Sequence, residues 1–162
     1  MAIFDGARLD EAKEIMDRYP EGRARSAIMP LLYLAQSVEG YISREALQEV
    51  AVLLGLTTAE VEAVATFYTM FRLRPTGTHV VSVCTNLACM LRGGREIYDA
   101  AHAAAGMRHG QERSEDGLFT LHEEECLGVC EFAPVAQVNF ANHDRLTPER
   151  MRELIAGLRD GS

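Results

Sequence analysis

The sequence predicts an α+β protein in which a small helical bundle over residues 1–75 is followed by an α/β layer over residues 76–162. Apolar residues recur at helical spacing in several short segments of the first part. From His79 onward, β-rich segments alternate with helical segments, as in a layer of helices packed on a sheet. The segment 75–77, Pro-Thr-Gly, interrupts both patterns and marks the junction between the two parts.

Two helices are expected near the start of the chain. Residues 8–18 (RLDEAKEIMDR) have the spacing of a short amphipathic helix, which Pro20 stops. Residues 23–38 (RARSAIMPLLYLAQSV) form a longer apolar helix that ends at Gly40. Pro30 lies inside this second segment. Because proline has no backbone N–H, it predicts either a kink there or a helix that begins nearer to it.

Two further helices complete the predicted bundle. Ser43 is a suitable N-cap for a helix over residues 44–54. Thr57 and Glu60 have the spacing of a capping box, and this box opens a helix that runs to about Met70. Four short helices joined by short links make a small helical bundle.

The aromatic run at the end of the fourth helix allows two interpretations. Phe67, Tyr68 and Phe71 are either core residues of the bundle or part of a surface that docks on another protein. We expect core packing for Phe67 and assign the interface to one of the other two.

Three strands and two helices are expected in the second part. The strand patterns cover residues 79–83, which run straight into Cys84, then residues 117–123 and residues 135–140. The helical patterns cover residues 92–105 and, after the N-cap Thr147 with Pro148 in the first helical position, a stretch that runs through Leu158. The order β-α-β-β-α resembles a thioredoxin-like or ferredoxin-like α/β layer.

Composition disfavours several classes of function. With 16 Lys and Arg against 24 Asp and Glu, the net charge is −8, and such a chain repels a phosphate backbone, so no nucleic acid partner is expected. No stretch of about 18 apolar residues occurs, so direct membrane insertion is not expected. Acidic residues appear as early as Asp5 and Asp10, unlike in a signal or transit peptide, so we expect a cytoplasmic protein.

The four cysteines are the strongest functional signal. In a reducing cytoplasm, an even set of cysteines points to a metal site or to catalysis before it points to disulfides. Cys84 and Cys89 are separated by four residues, 36 residues follow, and Cys126 and Cys130 are separated by three. Each pair comes just after a predicted strand. Two neighbouring strands would therefore bring all four thiols together at one edge of the sheet.

A [2Fe–2S] cluster fits this spacing. Such a cluster is held by four cysteine thiolates, two on each iron, and two loops that supply two cysteines each meet that requirement. The cluster also needs backbone N–H groups close to its negative charge, and Gly93, Gly94 and Gly128 permit close approach of the backbone. One [2Fe–2S] cluster would make the protein an electron carrier.

Other uses of four cysteines fit less well. Structural zinc prefers Cys-x2-Cys knuckles, and a redox disulfide favours Cys-x-x-Cys, which is absent. A Rieske centre needs two histidines, and the Cys-x4-Cys-x2-Cys run of plant-type ferredoxins is not met. A zinc-stabilised interaction domain, a stand-alone thiol redox protein and four inert buried cysteines remain as alternatives.

The two cysteine motifs resemble those of the thioredoxin-like [2Fe–2S] ferredoxins. The first motif is Cys84–Gly94 (CTNLACMLRGG) and the second is Glu125–Val135 (ECLGVCEFAPV). Within this family they are most similar to the small [2Fe–2S] subunit of respiratory NADH dehydrogenase, complex I. Ala65–Phe71 (ATFYTMF) and Ala27–Leu32 (AIMPLL) add to the resemblance, which extends over nearly the whole chain.

The resemblance implies a thioredoxin-like fold for residues 76–162 and a site that contains one [2Fe–2S] cluster. Its ligands would be the four cysteines, Cys84, Cys89, Cys126 and Cys130. The implied partner is a larger subunit that binds NADH and FMN and carries a [4Fe–4S] cluster, together with other subunits of the peripheral arm. The helical part, residues 1–75, would dock on that flavin subunit, and the complex would lie against the inner face of the membrane.

The resemblance also implies that this chain does not bind NADH itself, since no GxGxxG motif or Walker loop occurs in it. The expected function is that of an electron-transfer subunit of an NADH:quinone oxidoreductase, which exchanges single electrons with the flavin of its partner. NAD-linked formate dehydrogenases and NAD-reducing or bifurcating hydrogenases use similar small subunits and are the alternative.

Overall fold

The computed structural model describes residues 2–108 and 110–161. The chain divides into two compact units, Met1–Pro75 and Thr76–Ser162. The first unit is helical, whereas the second combines helices with a four-stranded sheet. The predicted α+β class is confirmed.

The described residues of the first unit form four α-helices around one apolar core. They are α1 (Gly6–Asp17), α2 (Ile28–Glu39), α3 (Arg44–Leu54) and α4 (Thr58–Phe67), with a 3-10 turn at Ala24–Ala27. The core is made of aliphatic side chains from all four helices, among them Ile15, Leu31, Leu32, Val50 and Val61. The first turns of α3 and α4 are capped as predicted, by Ser43 and by the Thr57–Glu60 capping box.

Pro30 lies in the first turn of α2, which begins at Ile28. The first four N–H groups of a helix have no partner within that helix, so a proline in this position removes no hydrogen bond. The second of the two expected outcomes, a helix that begins near Pro30, is therefore the correct one.

The fourth helix ends at Phe67, three residues before the predicted end at Met70. Tyr68 has an extended backbone, and the residues that follow it are hydrogen-bonded to the buried side chain of Gln36. The side-chain amide of Gln36 donates from Nε2 to the backbone carbonyl of Met70 at 3.1 Å. The backbone N–H of Arg72 donates to the side-chain oxygen Oε1 of Gln36 at 2.8 Å. This side chain satisfies two backbone groups that lie beyond the end of α4 and have no partner within the helix.

The expectation that Phe67 belongs to the core is wrong. Its side chain is 77% exposed, whereas Phe71 is buried and packs edge-on against Tyr33, with ring centroids 5.1 Å apart. The buried face of α4 is set by Val61 and Ala65 at helical spacing, so Phe67, two residues further on, points away from the core.

The sheet of the second unit has the strand order β2-β1-β3-β4. The strands are β1 (His79–Cys84), β2 (Phe119–Glu124), β3 (Ala136–Val138) and β4 (Ala141–His143). The first two pair in parallel, and the remaining pairs are antiparallel.

The fourth strand was not predicted from the sequence, which placed residues 135–140 in one strand followed by a link. Asn139 and Phe140 both have positive φ angles, 45° and 72°, as the two central residues of a tight hairpin turn require. Asparagine adopts this conformation readily but phenylalanine rarely, so the turn lacks the Asn-Gly pair that would have signalled a hairpin.

In the described part of this unit, three helices accompany the sheet: α5 (Leu87–Met90), α6 (Gly94–Ala104) and α7 (Pro148–Asp160). Short α5 was not predicted, and α6 begins two residues later than expected because Gly93, at φ 90°, is its left-handed N-cap. Helices α6 and α7 form a core with the sheet, and it contains Val81, Ile97, Phe119, Leu121, Met151 and Ile155.

Within residues 2–108 and 110–161, no single helix has both the length and the hydropathy needed to cross a membrane. Helices α3 and α4 meet that test only as a pair bent by 118°, and only by length and composition.

We predict that Gln36→Ala destabilises the helical unit, because it leaves the Met70 carbonyl and the Arg72 N–H without their partner. The expected loss in the free energy of unfolding is about 1–3 kcal/mol, measured by urea denaturation of the full chain. The control is Ser37→Ala on the exposed side of the same helix, for which a change within about 0.5 kcal/mol is expected. Equal unfolding midpoints for the two variants would contradict this role of Gln36.

Candidate metal centre

The parallel pairing of β1 with β2 brings the ends of both strands to the same edge of the sheet. Cys84, the last residue of β1, lies opposite Glu124, the last residue of β2. Cys126 follows two residues later. The expectation that two neighbouring strands deliver both cysteine motifs to one edge is confirmed.

The first pair of cysteines is buried. Cys84 is 4% exposed and Cys89 is 2% exposed. Cys89 lies on α5, whose N-terminus is capped by the Asn86 side chain, which accepts a hydrogen bond from the Leu87 N–H at 2.7 Å. A small apolar cluster surrounds the pair and consists of Ala133 and Val135 with the half-buried Ala88, Leu127 and Val129.

The second pair is exposed to solvent. The Sγ atoms of Cys126 and Cys130 lie 3.6 Å apart, and the Gly128 N–H donates to the Cys126 sulfur at 3.3 Å. Gly128 has a φ of 75°, a conformation that glycine adopts without strain. Its backbone N–H is therefore available to stabilise negative charge on sulfur.

Main-chain hydrogen bonds join the two cysteine loops. The Cys84 N–H donates to the Val135 carbonyl at 3.1 Å, and the Thr85 N–H donates to the Glu124 carbonyl at 3.2 Å. The Cys84 thiol also points to the Glu125 carbonyl, with its sulfur 3.9 Å from that oxygen. The two loops are thus part of one hydrogen-bonded edge.

Gly94 allows the first cysteine loop to pack against the start of α6. A Cβ atom at this position would lie 2.8 Å from the carbonyl oxygen of Cys84 and 2.9 Å from the carbonyl carbon of Cys89. Both distances are shorter than real Cβ contacts, and both neighbours are backbone atoms that cannot rotate away. Any side chain here would push the two cysteines from their positions.

The sulfur atoms disfavour one another's ionisation. Burial, and then a hydrogen bond with the Cys84 thiol, raise the pKa of Cys89 to about 11. The hydrogen bond with Cys126 raises the pKa of Cys130, and the charge of Cys84 adds to this effect. Four thiolates brought together repel each other, so the arrangement suits a cationic centre that offsets their charge.

The thiols group two by two. Among residues 2–108 and 110–161, no group of three or more Cys, His, Asp or Glu side chains is close enough to hold a metal ion. Instead, Cys84 contacts Cys89 and Cys126 contacts Cys130, while the charges of the two pairs still influence each other. Two pairs of thiolates are the donor set that a centre with two irons requires.

Two arginines near this edge were missed by the sequence reasoning. Arg92 donates to the Ala133 carbonyl at 3.3 Å, and the guanidinium of Arg145 lies 4.6 Å from the centroid of the Phe132 ring. Both therefore contact the turn that follows Cys130. Their roles depend on contacts between distant parts of the chain, so no local pattern signals them.

Comparison with known proteins finds a family model that describes the thioredoxin-like [2Fe–2S] ferredoxins and matches residues 12–159. A subunit of the NADH-quinone oxidoreductase of Mycobacterium tuberculosis is 48% identical over 154 residues, which are 94% of this chain and 60% of that protein. The chain thus spans less than two thirds of the length of this relative.

Two further relatives are covered almost entirely. NADH-quinone oxidoreductase subunit 2 of Thermus thermophilus is 41% identical over 99% of this chain and 88% of that protein. An NADH-quinone oxidoreductase subunit of Rickettsia bellii is 41% identical over 97% of this chain and 94% of that protein. Among solved structures, an NAD+-reducing [NiFe]-hydrogenase matches 83% of this chain and 22% of its own at a TM-score of 0.73 and 24% identity, which shows a shared fold.

We predict that Gly94→Ala impairs metal binding, because its Cβ displaces the backbones of Cys84 and Cys89. Iron and acid-labile sulfide per chain, measured after anaerobic purification, should fall well below the level of the unmodified chain. The control is Gly93→Ala, which introduces backbone strain but meets only the Glu96 side chain, at 3.4 Å. Full iron content in Gly94→Ala would show that this packing is dispensable.

Proposed function

Since the chain belongs to the thioredoxin-like [2Fe–2S] ferredoxin family, we propose that its four cysteines hold one [2Fe–2S] cluster. The ligands are Cys84, Cys89, Cys126 and Cys130. The single observation that carries this proposal is the two-by-two grouping of their thiols at one edge of the sheet. When bound, such a cluster accepts and returns one electron at a time.

The surroundings of the two pairs give them different tasks. Cys84 and Cys89 hold the site from inside, where Ala133 and Val135 keep water away. Cys126 and Cys130 lie at the surface, where an electron has the shortest way to a partner protein. The Gly128 N–H donates to the Cys126 sulfur and lowers the energy of added negative charge there.

The protein then acts as an electron-transfer subunit of an NADH:quinone oxidoreductase. Relatives that this chain covers almost entirely bear the name of that enzyme complex, at 41% identity. The partner in this proposal is the subunit that binds NADH and FMN and carries a [4Fe–4S] cluster. Other peripheral-arm subunits complete the assembly, at the cytoplasmic face of the membrane.

The ligand assignment predicts a reddish protein that contains one [2Fe–2S] cluster per chain. Cys89→Ser removes a buried ligand and Cys126→Ser an exposed one, so either change should remove most of the iron or alter the electron paramagnetic resonance spectrum after reduction. The neighbouring Met90→Leu is the control and should leave the spectrum unchanged. An unmodified protein that is colourless and without acid-labile sulfide would refute the cluster, and elemental analysis would then test for zinc.

The helical unit supplies the docking surface for the flavin subunit in this proposal. Phe67 is 77% exposed, and the neighbouring Tyr68 and Leu73 are also exposed. Phe67 and Tyr68 pack against each other edge-on, with ring centroids 5.0 Å apart. Aromatic side chains that stand exposed together are typical of protein interfaces.

We predict that Phe67→Ala weakens binding to the flavin subunit at least about tenfold, because an exposed aromatic anchor is lost. Binding is measured between the two purified subunits by calorimetry. Val52→Ala is the matched control, since Val52 is 81% exposed on α3 of the same unit. Equal affinities for both variants would place the interface elsewhere.

Co-purification with a formate dehydrogenase or hydrogenase flavin subunit would assign the chain to one of those complexes instead.

A further inference from the structure

Two arginine side chains contact one turn of the candidate metal centre. This turn comprises residues 130–133, from Cys130 through a short 3-10 segment to the buried Ala133, and we refer to it as the cysteine turn. Arg92 reaches it from the first cysteine loop, three residues after Cys89. Arg145 reaches it from the segment between β4 and α7.

Arg92 holds the end of the cysteine turn. Its Nη1 atom donates to the Ala133 carbonyl at 3.3 Å. Ala133 itself packs in one apolar cluster with both buried cysteines, Cys84 and Cys89. The guanidinium of Arg92 therefore links the loop of one cysteine pair to the loop of the other. Through Ala133 it contacts the apolar side chains that surround Cys84 and Cys89.

Arg145 holds the middle of the cysteine turn. Its backbone N–H donates to the Phe132 carbonyl at 2.8 Å, and its guanidinium lies 4.6 Å from the centroid of the Phe132 ring. The φ angle of Arg145 is +48°, which is strained for a residue with a side chain. Surrounding contacts impose this conformation, among them the Arg150 side chain, which donates to the Arg145 carbonyl at 3.0 Å.

Among residues 2–108 and 110–161, neither charge is paired with a carboxylate. The ion pairs of arginine in these ranges involve Arg25, Arg95, Arg108, Arg152 and Arg159, but not Arg92 or Arg145. Arg95, only three residues after Arg92, is paired with Glu123 at 2.7 Å. The turn itself carries one carboxylate, Glu131, and the net charge of the chain is −8, so the two guanidinium groups supply positive charge at a place where negative charge is in excess.

We propose that Arg92 and Arg145 are positioning residues that fix the cysteine turn and raise the reduction potential of the site. The inference rests on the proposed [2Fe–2S] function. Reduction adds one electron, and therefore one negative charge, without any change in the ligands. Nearby positive charge favours the reduced state, and solvent salt weakens this effect because both guanidinium groups are near the surface.

The test is a redox titration of the full chain, followed by electron paramagnetic resonance, with dithionite as reductant. Arg92→Gln removes the charge, whereas Arg92→Lys keeps it and gives up the planar donor group. For Arg92→Gln, the ratio of reduced to oxidised protein at a fixed poise should fall roughly tenfold, which equals about 59 mV for one electron. Arg92→Lys should stay close to the unmodified potential, and the effect of Arg92→Gln should shrink in high salt.

Arg108→Gln is the control for loss of a charge elsewhere. The Arg108 side chain is 87% exposed and lies between α6 and β2, at the edge of the sheet opposite the cysteines. The potential of this variant should equal that of the unmodified chain. An Arg92→Gln potential equal to that of the unmodified chain, or a shift of the same size in Arg92→Lys, would overturn the proposal.

If Arg92→Gln binds no iron, the reduction potential of Arg145→Gln tests the proposal instead. This substitution removes the second charge and should lower the potential in the same direction, so an unmodified potential there would also overturn the proposal. Failure of the underlying function has a different signature. If the unmodified chain contains neither iron nor acid-labile sulfide, the cluster assignment itself is wrong.

Discussion

The parallel pairing of β1 with β2 is the constraint on which the candidate centre depends. Parallel strands end at the same edge of a sheet, so two cysteine motifs that are 36 residues apart in sequence become neighbours. A parallel connection requires a long crossover, and α6 with the loop that follows it provides one. The spacing between the motifs is therefore long enough for the crossover that parallel pairing requires.

Packing around this edge buries one pair of cysteines and leaves the other pair exposed to solvent. Gly94 lets the start of α6 touch the backbones of Cys84 and Cys89, and this closes the inner side of the site. The outer pair, Cys126 and Cys130, remains exposed. An electron carrier benefits from both properties, because the inner side holds the ligands rigidly while the outer side faces a partner.

The helical unit shows how a polar side chain can set the limits of a helix. Gln36 is buried and bonds the backbone at Met70 and Arg72, so the chain leaves α4 after Phe67. Phe71, beyond that exit, is buried, whereas Phe67 is still part of α4 and is exposed because it lies on the face away from Val61 and Ala65. Helical periodicity alone extends the helix to Met70, because it takes no account of a glutamine more than thirty residues away.

Local patterns of apolar and capping residues were sufficient to predict the fold class, three of the strands and the caps of α3, α4 and α7 from the sequence. The sequence also indicated the cysteine set and its chemistry through spacing. Three features became visible only in the folded chain: the hairpin at Asn139, the exposure of Phe67 and the hydrogen bond of Arg92 to the turn after Cys130. Caps and periodicity act within a few residues, whereas burial and the partners of a long side chain depend on which distant segments the fold brings together.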